Sequence, residues 1–120
     1  MFVYQGFYAI ICHLISNLNN NLGNLTQFYR RDYVLRGGAL LDFILNNVVI
    51  GGIVSIAPLD GEIPDAPIPN AWAVAIVYRH ASSVWTVKWF QDGVPDKEYV
   101  NQIYVDRWVN TTWKHIDYIV

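Results

Sequence analysis

The chain has 120 residues, of which 53% are hydrophobic, 15% aromatic and only 15% charged, with a formal net charge of -2. That length suits one domain with a core of its own, or a smaller domain carrying an extension, and the apolar content excludes bulk disorder. Eight basic residues against ten acidic ones argue against a nucleic-acid partner, whose phosphates call for clustered Lys and Arg.

Residues 1 to 9 are aromatic without a clear period, as expected of a short strand or an arm lying on a neighbour. The apolar run Phe2 to Ile15 contains Gln5 and His13 and has no basic leader, which makes it a poor signal peptide. Cys12 is the sole cysteine, so no internal disulfide forms, and its apolar neighbours predict a buried small hydrophobe.

Ile11, Ile15, Leu18, Leu22, Leu25 and Tyr29 then recur in alternating steps of four and three, the repeat of a coiled-coil seam. The residues between them are rich in Asn and Ser and suit a solvated face. Gly23 costs about 1 kcal/mol relative to Ala, so a lone helix of this quality is marginal. Two arrangements would hold it: copies winding together as a homo-oligomer, with a trimer favoured, or one helix packed on its own domain. Arg30, Arg31 and Arg36 read as a solvated helix end. Gly37-Gly38 marks the boundary between an N-terminal arm and helical segment (1–38) and an aromatic β domain (39–120).

Leu40, Leu41, Phe43, Ile44 and Leu45 fit either a helical turn or a tight approach to a strand. Val48 to Ala57 is apolar on both parities, like a strand buried on two sides, and Gly51-Gly52 predicts a bulge or the close approach of another chain. The apolar run Val48 to Leu59 is too short for a membrane helix of roughly 20 residues. Pro58, Pro64, Pro67 and Pro69 make 58–70 a long rigid loop, a feature more often used for binding than as a hinge.

A meander follows. Its first strand has Trp72, Val74, Ile76 and Tyr78 on one face and Ala71, Ala73, Ala75 and Val77 on the other. The second puts Trp85, Val87 and Trp89 together, with aromatics expected to face one another across the hairpin. Gln102 to Trp108 reads as one further strand, and Trp113 opens the closing strand. The fold class is mainly β: a small antiparallel meander or sandwich-like domain behind an N-terminal helical segment.

Three short motifs in this region are Val77-Tyr78-Arg79, Ile103-Tyr104-Val105-Asp106-Arg107 and Thr112-Trp113-Lys114-His115-Ile116. By these motifs residues 39–120 resemble the pyocin-knob type of domain found in bacteriophage tail fibres. The family's paired ending tryptophans are not reproduced, since Asn110 stands three before Trp113. The resemblance implies a homotrimeric fibre component, located in the virion, that touches other tail proteins or the host surface.

Tryptophans beside Asp, Asn and Arg match the apolar face and the hydroxyls of a sugar ring. The expected ligand-binding cluster is Trp108, Asn110, Tyr104, Asp106 and Arg107, joined by Tyr78 and Arg79 if their strands are adjacent; Trp113 is expected in the core. The function expected is structural and receptor-binding, without catalysis, cofactor, metal or membrane insertion. One alternative is a purely structural virion or adaptor protein whose aromatics bury interfaces. Another is a small glycan hydrolase using Asp60 with Glu62, or Asp92 with Asp96, although acids in Pro-containing turns usually solvate loops. His13, His80 and His115 lack metal-site spacing.

Overall fold

The computed structural model describes residues 33–118 together with Ile11, Cys12, Leu14 and Ile15. Of the expected seam, Ile11 and Ile15 are described, whereas Leu18, Leu22, Leu25 and Tyr29 lie outside the described residues. Ile11 and Ile15 are helical and exposed in the single chain, and so is Cys12, in place of the burial expected for it. An apolar neighbourhood in sequence does not bury a helical residue unless something packs on that side of the helix.

The described body is a small, mainly β domain: one curled half-barrel sheet and one short helix. Strand β1 (Tyr33–Leu35) comes first, then helix α1 (Leu40–Asn47) and strand β2 (Gly51–Ile56). They are followed by β3 (Ala73–Ala81), β4 (Val84–Gln91), β5 (Lys97–Tyr104), β6 (Arg107–Trp108) and β7 (Lys114–Asp117). The sheet order is β1-β2-β3-β4-β5-β6, and β7 pairs with the first half of β5 on the same side that β6 pairs with its end. All pairings are antiparallel except β1 with β2, so β1-α1-β2 is a compact parallel crossover ahead of the meander. The sheet therefore extends across Gly37-Gly38 into the front part of the chain. Its inner face is closed by a helix and a loop.

Helix geometry resolves the segment at 40. Leu40 and Ile44 are one turn apart and fully buried, as is Val48 just past the helix. Ala39 at the N-cap supplies no side-chain acceptor. The carboxylate of Asp65, 25 residues away, does so instead, accepting from the backbone N–H of Leu40 at 2.7 Å and of Leu41 at 2.8 Å. Gly37 lies where two loops nearly touch, since a Cβ there would come within 3.2 Å of the Gly61 nitrogen. Arg36 and Asp60 pair across the same contact at 3.2 Å.

The inner face of β3 is the small one. Ala73, Ala75 and Val77 are buried, while Val74, Ile76 and Tyr78 are half-exposed on the outer face. Register explains why. Ala75 stands opposite Trp89, Val77 opposite Val87 and Arg79 opposite Trp85, so each indole of β4 meets a side chain other than an aromatic ring. The aromatic-to-aromatic hairpin expected from the sequence does not form: Trp89 fits over the small Ala75, and Trp85 meets Arg79 at the strand end. Gly51 and Gly52 pair regularly with Tyr78 and Val77, with no bulge. The register shift lies instead between Arg79 and Ala81.

Strand bounds differ from expectation: β3 runs on to Ala81 through the expected break at Arg79, and the largest difference is in β5. Strand β5 already starts at Lys97 and ends at Tyr104, where Val105-Asp106 turns the chain back into β6. Val105 occupies the first turn position with φ of 62°, a conformation that normally selects Gly there. No residue-type signal announced that turn. Its consequence is that Trp108 pairs with Ile103 and shares the inner face, leaving the mixed face to Gln102 and Tyr104.

The loop 58–70 is a long one without strand or helix, held by Ile63 N–H donating to Pro69 O at 2.8 Å and by fully buried Ile63. Among the described residues no helix is long and apolar enough to cross a membrane.

Candidate functional site

The expected binding residues divide into an anchored group and a presented group. Asp65 organises the first. Besides capping α1, its Oδ2 accepts the indole N–H of Trp108 at 2.9 Å, and its backbone carbonyl accepts that of Trp113 at 2.8 Å. The two indoles lie 4.8 Å apart, tilted by 55°. Trp113 is buried, as expected, and Trp108 is half-buried and packed on the core. Trp108 thus spends its polar edge on the protein and serves to tie the Pro-rich loop, the helix and the C-terminal strands together. Asn110 is engaged in the same way. Its N–H donates to Asn101 Oδ1 at 3.2 Å and its carbonyl accepts from Asn101 Nδ2 at 2.9 Å, which satisfies the buried Asn101 side chain.

The presented group lies at the turn end of the sheet. Three connections meet there: Val49-Ile50 before β2, Ser82-Ser83 between β3 and β4, and Val105-Asp106 between β5 and β6. Val105 N–H donates to Ser83 O at 2.7 Å and Arg79 N–H to Ile50 O at 2.8 Å, so the connections brace one another. Tyr104, Asp106 and Arg107 are exposed, and Asp106 and Arg107 form a solvated ion pair at 3.3 Å. Together with Val105 they line a shallow pocket of about 320 Å³. A second pocket of similar size lies beside Val49, Ile50, Arg79, His80 and Ser82.

Arg79 and Tyr78 reach this end on different faces. The Arg79 guanidinium stacks 4.9 Å over Trp85 and its Nε donates to Ser82 O at 3.0 Å. Tyr78 is on the outer face, 5.7 Å from the His80 ring, since residues two apart on a strand share a face. His80 Nε2 lies 2.9 Å from Thr86 Oγ1, which also accepts from Gln102 Nε2 at 3.0 Å. Strand β4 separates β3 from β5, so Tyr78 and Arg79 flank the Tyr104–Arg107 turn from one strand away. Trp108 and Asn110 are drawn off to the Asp65 side.

Two features escaped the sequence reading. One is Asp65, a lone acid among prolines with no pattern to mark it. The other is Glu98 on the outer face, buried and paired with Lys88 at 3.2 Å and with the hydroxyl of Tyr118. The Tyr118 hydrogen bond, aided by that of Lys88, holds the Glu98 carboxyl below its ordinary value against the opposing effect of burial. Glu98 in turn raises the Lys88 ammonium and the Tyr118 phenol above theirs, first through those hydrogen bonds. Elsewhere, Asp60 is occupied by Arg36, and among the described residues no group of three or more His, Cys, Asp or Glu is placed to hold a metal ion.

Comparison of the chain with protein-family models, with curated proteins and with solved structures finds no match. The likeness to pyocin-knob domains rests on the three motifs alone, which lie on β3, on the β5-β6 hairpin, and on the approach to and body of β7.

Proposed function

We propose that the protein is a non-enzymatic structural and receptor-binding component of a phage tail fibre or related particle. Its turn end would meet a host-surface glycan or protein. The observation carrying this reading is the contrast between braced backbone and solvent-exposed side chains at that end. Tyr104 and Val105 are 58% and 56% exposed on a hairpin fixed to its neighbour, with Asp106 and Arg107 beside them. An apolar ring with polar groups around it on a rigid support suits recognition at low ordering cost. Repetition in several copies would turn weak contacts into avidity. The exposure of Ile11 and Ile15 within one chain supports the oligomeric part of the reading, because the chain's own core does not cover them.

The purely structural alternative draws on the outer sheet face, where Val34 and Ile116 are about half exposed at opposite ends of one row of residues. One pair of measurements separates the two. In sedimentation the full chain should run as an oligomer, a trimer by preference, and a stable monomer would rule that out. The double variant Tyr104→Ala, Arg107→Ala should keep this assembly and lose adsorption to bacterial envelope preparations. Adsorption that survives the double variant, or assembly that fails in it, would favour the structural role.

A further inference from the structure

A third pocket, of about 270 Å³, opens roughly 17 Å along β5 from the turn end, five residues at the usual rise per strand residue. Two aromatic side chains line it, and both are fixed from behind. Trp113 is held by its bond to the Asp65 carbonyl and by Trp108, and Tyr99 stands edge-on to Trp89 at 5.3 Å. Pro67 lines it from the loop side. Its polar groups are the hydroxyls of Tyr99, Thr111 and Thr112 and the imidazole of His115. Within the described residues none of these hydroxyls has a hydrogen-bond partner. Asp117 sits 3.4 Å from His115 Nδ1, a contact that in the neutral ring favours the Nδ1–H tautomer, with Nε2 as the acceptor.

This combination selects a ligand class. No Lys, Arg, Asp or Glu lines the pocket, so a charged ligand meets no counter-charge there. A wholly apolar ligand would cover three hydroxyls and an imidazole without pairing them, at a desolvation cost. A proline-rich peptide could use the aromatic faces, but prolyl residues carry no N–H to donate to His115 Nε2. A neutral pyranose has an apolar C–H face for the rings and hydroxyls that both donate and accept. The volume falls just below the roughly 300–1,000 Å³ of sites for drug-sized ligands, which fits a single ring.

We propose that the pocket between Tyr99, Trp113 and Thr111-Thr112 binds one neutral hexopyranose residue. This goes beyond the turn-end reading and does not depend on it.

The test is titration of the full chain, followed by tryptophan fluorescence, with the methyl glycosides of glucose, galactose, mannose and N-acetylglucosamine. At least one should saturate in the millimolar range. Thr111→Val and Thr112→Val, both exposed positions, should leave thermal unfolding unchanged and weaken that binding by about fivefold each, the loss of one hydrogen bond. Tyr104→Ala at the turn end should leave it unchanged. The proposal is overturned if none of the four glycosides saturates, or if binding ignores both threonine variants. It is equally overturned if an acetylated tetraproline amide saturates the response and the glycosides do not.

Discussion

Arg107 and Trp108 are chain neighbours with opposite fates. Arg107 stands at a hairpin tip in water, while Trp108 is turned inward, bonded to a carboxylate 43 residues away and packed at a tilt against Trp113. The difference teaches that residue type and sequence neighbourhood do not separate a presented side chain from a structural one. What separates them is whether a partner waits at the end of the side chain. Around Trp108 a partner does, because Asp65 has more acceptor capacity than one helix terminus uses. At the Tyr104–Arg107 tip the backbone is held and the side chains are left over.

Removing the hub should have the largest effect. Asp65→Ala strips the α1 terminus of its acceptor and leaves the Trp108 indole without one, which should cost about 2–4 kcal/mol in urea unfolding. Asp65→Asn, keeping one acceptor oxygen, should recover part of that loss; equal stability of all three proteins would dissolve the contrast between the two regions. Trp108→Phe sharpens it further by keeping a ring and dropping only the N–H. A loss of about 1 kcal/mol is expected, with turn-end adsorption intact. If adsorption falls in this variant while stability holds, Trp108 belongs to the presented group after all.

On the tip side the sign should reverse. Val105→Gly relieves a β-branched residue at positive φ, and after the entropy of the extra glycine is subtracted the variant should gain about 0.5–1 kcal/mol. A loss of stability would show that the Val105 side chain packs on something that holds the tip.

The smallest effect concerns Glu98, whose folded carboxyl titrates below its ordinary value of 4.5. Its contribution is present at neutral pH and disappears as pH falls through the lowered folded value, so unfolding midpoints should drop in the acid range below about pH 4.5. Glu98→Gln should flatten that part of the profile, and a variant as acid-sensitive as the parent would assign the drop to other carboxylates.

Much of the β architecture was legible. The period-two alternation of Ala71 to Tyr78 and of Val84 to Phe90 marked the existence of two strands, the first of which lies at Ala73–Ala81, and the prolines of 58–70 marked the loop. The faces were legible as sets, but which set was inner was not, because small and large residues each make a plausible core side until the opposing strand is known. Ala75 is interior because Trp89 stands across from it. The Val105-Asp106 turn was hidden for a related reason: a β-branched residue reads as strand, and only pairing on both sides forces it into a turn. Strand β1 and the first half of β5 were missed because three residues and a charged stretch carry too little periodicity.

The amino-acid sequence by itself determined the class of fold, through alternation, aromatic content and the placing of its prolines, since these are local preferences that act before any distant contact forms. Only the tertiary structure decided which aromatics are free. That depends on Asp65, whose partners lie 24 to 48 residues away and become neighbours only once the sheet has curled around the helix.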